Sequence, residues 1–192
     1  MNATSGERSK RVGAQGMSEP ASTREAEPQP LPLVIGVGND QRGDDGSGLE
    51  VARALRLRLE GKARVEECTS EGIAILELWR DADRVLVVDA VVSGGIPGTV
   101  HRFEAGDGFS PGVRSATSTH GLSLAEAVAL GRGLGCLPRQ LVVYGIEVDN
   151  LAVGSGLSPP VARGVREVAD RIVAELADTN PSMTRPARPP HA

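Results

Sequence analysis

The sequence predicts an α/β fold: an open, mostly parallel twisted sheet with helices on both faces and an antiparallel edge strand. Three observations carry this. Short apolar runs alternate with segments of helical periodicity, the pattern of a sheet wound by crossover helices. The run Arg84-Val-Leu-Val-Val88 is apolar at successive positions, as a central strand buried on both faces must be. Aromatic residues make up only 2% of a chain that is 40% hydrophobic, so the core is aliphatic.

A chain of 192 residues is the size of one ordinary domain. The expected division is a disordered tail over 1–30, a single α/β domain over 31–178 and a second disordered tail over 179–192. Both tails are rich in Pro and polar residues and lack apolar periodicity. Met17 is an alternative translation start within the first tail.

Taken in order, Leu33 to Val37 is a short apolar strand ending in a glycine-rich turn. A helix from about Asp44 to Glu60 follows, with Leu49, Ala52, Leu55 and Leu59 on one face. Arg64 to Cys68 reads as a second strand, and Ser70 to Trp79 as a helix burying Ile73, Leu76 and Trp79. The central strand then ends at Asp89. Thr99 to Phe103 alternates as a half-exposed edge strand does. Ser123-Leu-Ala-Glu126 is a capping box that opens the next helix. Leu141 to Tyr144 is another buried strand, and Ser158 caps a last amphipathic helix with Pro159 in its first turn, running to about Leu176.

A formal net charge of −4 gives no reason to expect nucleic acid as a partner. No window of about 18 apolar residues suggests a membrane span, and the polar N-terminus does not read as a signal peptide. The two cysteines, Cys68 and Cys136, form neither a disulfide framework nor a zinc motif. Together these fit a cytoplasmic protein.

In a sheet of this kind the ligand site lies outside the carboxyl ends of the strands. Asp45 follows the first strand, Asp89 the third, and His120 lies in the loop before a helix, so all three belong at that edge. Two carboxylates and an imidazole form a partial shell for a borderline divalent metal. Asp44 reads as a helix cap beside Asp45. His101, mid-strand on an edge, and His191 in the tail receive no role. A Rossmann-like nucleotide-binding module is an alternative, with Glu66 and Glu67 near the ribose, but Gln41 stands where the third glycine of that fingerprint belongs. No Gly-x-Ser-x-Gly elbow is present.

The stretch from Gly36 through Asn39, Gly43-Asp-Asp-Gly46 and Gly48, then Val88-Asp-Ala90, then Ser118-Thr-His-Gly-Leu122, in this order, resembles the nickel–iron hydrogenase maturation endopeptidases. The resemblance runs from about Leu33 to Leu176 and includes Tyr144-Gly-Ile146 and Gly156-Leu-Ser-Pro159. It implies a hydrolase, an aspartic-type or metal-dependent endopeptidase, that removes a C-terminal extension from the hydrogenase large-subunit precursor once nickel is inserted. The nickel would arrive in the substrate and be recognised by Asp45, Asp89 and His120. The first of these acids is often glutamate in other members, one methylene longer than Asp45. The attacking group and general base are not assigned by the sequence. A non-catalytic nickel-binding assembly chaperone is the third reading.

Overall fold

The computed structural model describes residues 30–69, 73–104, 114–115 and 123–178. The two expected tails fall outside this range, apart from Pro30, as does His120.

The described residues form six strands and four α-helices: β1 (Leu33–Val37), α1 (Ser47–Arg56), β2 (Arg64–Cys68), α2 (Ile73–Trp79), β3 (Arg84–Val92), β4 (Val100–Glu104), β5 (Arg114–Ser115), α3 (Leu124–Gly133), β6 (Gln140–Glu147) and α4 (Pro159–Ala177). The sheet order is β2-β1-β3-β6-β4, with β5 pairing the far end of β3. Neighbours are parallel except at β4 and β5, so the mostly parallel sheet with an antiparallel edge is what forms.

Each face buries one aliphatic cluster. On one side α1 and α4 pack Val51, Leu55, Val161, Val165 and Val168 against Val34, Leu86, Val142 and Tyr144. On the other, α2 and α3 pack Ile75, Trp79, Leu124 and Val128 against Leu33, Ile35, Val85, Val87 and Val143. Alternate residues of β1, β3 and β6 thus serve opposite clusters, as the two-residue period of a strand requires.

Four sequence expectations need correction. The first helix begins as a single 3₁₀ turn, Gly43–Gly46, and α1 ends at Arg56, although Leu59 stays buried in the turn that follows. In α2 the buried face is Ile75 and Trp79, while Ile73 at its start is exposed. The strand expected to stop at Val88 continues to Val92, because β6 pairs with it through Asp89↔Gly145, Ala90↔Ile146 and Val91↔Glu147. The strand expected over 141–144 likewise runs to Glu147. The capping box of α3 is complete: Ser123 Oγ accepts the Glu126 N–H at 3.2 Å, and the Glu126 carboxylate accepts the Ser123 N–H at 2.8 Å. Among the described residues no helix is long and apolar enough to cross a membrane.

Glu175 ties the C-terminal turn of α4 to the sheet. It accepts hydrogen bonds from Tyr144 Oη at 2.7 Å and from Arg102 Nη2 at 3.0 Å, and Arg84 approaches it at 3.3 Å. Burial alone would raise the Glu175 carboxyl pKa, but the bonds from Arg102 and Tyr144 and the charges of Arg102 and Arg84 outweigh it and hold the pKa below its ordinary value. Burial, with Glu175 beside it, pushes the Tyr144 phenol up to about 12. A carboxylate with a depressed folded pKa stabilises the fold above its unfolded pKa, and that contribution is lost as pH falls through the folded value. Glu175→Gln should therefore lower stability at pH 7 by about 1–3 kcal/mol. The gap to the parent protein should close below about pH 4, as measured by thermal unfolding across pH.

Candidate active site

The glycine turn after β1 is shaped by contacts too close for side chains. A Cβ on Gly36 would stand 2.2 Å from the carbonyl oxygen of Gly48, and one on Gly48 would stand 2.2 Å from that of Val37 and 2.5 Å from that of Val88. The start of α1 therefore rests directly on the backbones of β1 and β3. Gly38 has φ +152°, and a Cβ there would lie 2.1 Å from the Asp45 carbonyl oxygen. That carbonyl accepts the Asn39 N–H at 3.3 Å, while the Gly38 N–H is given to the Cys68 carbonyl at 3.2 Å. The backbone of Asp45 is thus pinned at the carboxyl edge of β1.

The adjacent acids do different jobs. Asp44, fully buried, accepts the Ser158 N–H at 2.6 Å, the Ser158 hydroxyl at 3.0 Å and the Asn150 N–H at 3.2 Å. Its own N–H is donated to the Asn150 carbonyl at 2.9 Å. It caps nothing in its own helix; it fastens the turn to the segment leading into α4, 114 residues away. Ser158 does occupy the N-cap position of α4, but its hydroxyl is spent on Asp44 and makes no cap bond. Gly43 shares this junction, since its φ of +59° and the nearby Ser155 Oγ and Asn150 carbonyl leave no room for a side chain.

Asp45 is also fully buried, with Arg42 Nη1 at 3.6 Å from Oδ2. Asp89, 1% exposed, lies within β3 rather than after it. The last β1–β3 pair is Gly36↔Val88, so Asp89 comes beside Val37, where β1 gives way to the turn. The 3₁₀ turn carrying Asp45 packs against β3. With strand order β2-β1-β3, β1 and β3 flank the point where chain connections leave in opposite directions, which is where open α/β sheets form their ligand crevice. His120 lies outside the described residues, and among the described residues no three His, Cys, Asp or Glu side chains are grouped to hold a metal ion. Oxygen from Asp45 and Asp89 with nitrogen from His120, which precedes α3 by four residues, is a donor set suited to a borderline divalent cation.

Two residues outside the expected set share this edge. Strand pairing aligns Asp89 with Gly145 and Gly145 with His101, placing His101 on the same sheet face as Asp89. Glu147, 1% exposed, accepts the Ser93 and Gly95 N–H groups at 2.8 and 2.9 Å and the Ser93 hydroxyl at 2.8 Å, with His101 Nε2 at 3.5 Å. Burial would raise its pKa, but the bonds from Ser93 and Gly95 and the nearby His101 hold it below the usual carboxylate range. Sequence offered no signal for Glu147, which stands three residues beyond the strand expected to end at Tyr144.

A nucleotide is poorly accommodated. The turn that would cradle phosphate contains two buried carboxylates, and Glu67 is already bonded to Arg53 at 3.0 Å and Arg56 at 2.7 Å.

Comparison with known proteins decides the family. The profile of the HycI hydrogenase maturation proteases matches residues 50–175. The chain belongs to the hydrogenase maturation protease family. It is similar to the hydrogenase expression/formation protein HupD of Thiocapsa roseopersicina, 30% identical over 152 residues, which cover 76% of this chain and 67% of that protein. It is also similar to the hydrogenase 2 maturation protease of Escherichia coli strain K12, 27% identical over 151 residues, covering 77% of this chain and 91% of the relative. Among solved structures, the hydrogenase maturating endopeptidase HybD from E. coli superposes with a TM-score of 0.61 at 25% identity, covering 78% of this chain and 93% of that one. As a member of this family the chain is a peptidase.

The maturation protease fold here depends on Asp44 as a fastener. Asp44→Ala would leave the Asn150 and Ser158 donors without their carboxylate, and should cost about 2–4 kcal/mol. Thermal unfolding should show this as a melting temperature lower by roughly 5–15 °C.

Proposed function

We propose that this maturation protease removes the C-terminal extension of a nickel–iron hydrogenase large-subunit precursor after nickel has been inserted, and that Asp45, Asp89 and His120 recognise the nickel the precursor carries. The observation that supports it most is the burial of Asp45 and Asp89 at the β1/β3 crevice of a maturation protease fold. Family membership supplies the peptidase activity, and the two carboxylates supply a reason for it to act on a metallated partner.

A bound nickel would supply positive charge to orient and polarise the precursor at the crevice. The chain's own residues then have defined tasks. Asp45 and Asp89 present fixed oxygen donors that need no rearrangement, because the backbone around Asp45 is pinned by Gly38 and Asp89 lies within β3, paired with Gly145 of β6. A precursor that carries the cation gains an attraction to this carboxylate pair that a precursor lacking it does not, so the metallated form is engaged more tightly. A carboxylate at hydrogen-bond distance from an attacking water would serve as the base in peptide hydrolysis. On this reading cleavage waits for metallation.

Purified protein incubated with nickel-loaded and nickel-free precursor, with mass read before and after, tests the proposal. Shortening of the loaded precursor alone is expected. Asp45→Asn, Asp89→Asn and His120→Ala should each remain folded by circular dichroism yet lower processing at least about 100-fold, the scale of losing one catalytic group. Processing at the parent rate by all three variants would remove the assignment, and capture of the precursor without shortening would favour the assembly-chaperone reading.

A further inference from the structure

β2 is an edge strand among the described residues: β1 pairs with one side of it and no described strand covers the other. Beside that open edge lies a cavity of about 460 Å³, lined by Arg64, Glu67, Cys68 and Thr69 of the β2 segment and by Ala74, Glu77, Leu78 and Asp81. Ala74, Glu77 and Leu78 are spaced three and four residues apart on one side of α2, and Asp81 lies in the turn that follows it. Cys68 pairs with Val37, and Val37 comes beside Asp89, so the groove opens on the sheet face and edge that carry Asp89. The Cys68 carbonyl also holds the Gly38 N–H, which joins the mouth of the groove to the Asp45 turn.

The charges in the groove are unevenly committed. Glu67 is held by Arg53 and Arg56, and Arg64 faces Glu66 at 3.7 Å. Glu77 and Asp81 are both exposed and stand in no ion pair among the described residues. An open strand edge recruits an extended chain through its backbone groups, and adjacent pockets read that chain's side chains.

We propose that this groove is the subsite for the C-terminal extension of the precursor, taken up as an extended strand along β2 with basic side chains meeting Glu77 and Asp81. The inference rests on the processing reading above. The folded body of a precursor cannot enter a groove between a strand and a helix, whereas its extension can. Two strand spacings, about 10 Å, separate the Asp89 position from Cys68, a span of about three extended residues. The residues read by Glu77 and Asp81 therefore lie about four to six positions beyond the cut bond.

The test uses the full chain and two fluorescein-labelled synthetic tail peptides, identical except for Lys or Glu at the fourth and sixth positions after the cut, with binding read by anisotropy at low salt. The Lys peptide should bind about five- to ten-fold more tightly than the Glu peptide, the scale of two exposed charge pairs. In the double variant Glu77→Gln, Asp81→Asn the preference should fall below about two-fold, with the melting temperature unchanged because both side chains are on the surface. Equal binding of the two peptides, no binding of either, or a preference that survives in the double variant would overturn the subsite. The same proteins assayed on nickel-loaded precursor separate the two ideas. Unaltered kcat/KM in the double variant on a Lys-bearing tail overturns the subsite and leaves the processing reading intact. A parent protein that discriminates the peptides through Glu77 and Asp81, but never shortens the precursor, supports the subsite and defeats the processing reading.

Discussion

The structure depends on how closely the start of α1 approaches the sheet. Gly48 lies over the carbonyls of Val37 and Val88 at a distance no side chain would allow, and Gly36 faces Gly48 from β1. This contact fixes α1 on one face, sets the turn at the β1/β3 crevice, and determines where the carboxylates of that turn can point. A β-carbon at either glycine meets backbone rather than a movable side chain, so the helix would have to lift away. Asp45 would move with it. The glycines of this turn are therefore better understood as spacers between backbones than as a phosphate cradle.

Four carboxylates are nearly inaccessible to solvent at or beside one edge of the sheet: Asp44, Asp45, Asp89 and Glu147. Burying a charge is costly unless it is paired, so each needs an account. Asp44 and Glu147 have structural ones. Asp44 gathers donors from Asn150 and Ser158, and Glu147 gathers donors from Ser93 and Gly95, so each anchors a loop that borders the crevice. Side chains from the sheet and its first turn thus fasten both loops, adding to the bonds that Asn150 and Ser155 make within their own loop, and offset the conformational entropy their glycines carry. Rigid borders favour a site that must hold a partner protein in one orientation.

The sequence revealed local features well and long-range ones poorly. β1 and β2 have the boundaries expected from sequence, and the capping box at Ser123 forms as spacing alone indicates. These depend on neighbours in the chain. The ends of β3 and β6 were misjudged because polarity at Asp89 and glycine at 145 resemble strand termini, whereas pairing between the two strands carries both onward. Asp44 resembled a cap of its own helix because its real partner, Ser158, is 114 residues distant. Ile73 fitted a helical stripe but stands at the first position of α2, outside the packed face. His101 drew no interest from sequence, since only strand register aligns it with Asp89 through Gly145.

That register also lays out a continuous row of positions across the sheet. Cys68, Val37, Asp89, Gly145 and His101 follow one another across five strands on one sheet face, with Asp89 at the centre. At about 4.8 Å per strand the row spans roughly 19 Å. Each end has a different character: an edge with an acidic groove beyond Cys68, and a histidine stacked on Phe103 beside buried Glu147 at the other end. Parallel pairing of β2, β1, β3 and β6 lines up the first four of these positions, and antiparallel pairing of β4 with β6 adds His101. The ends of the row can therefore vary in sequence while its centre stays in place beside the glycine contact beneath α1.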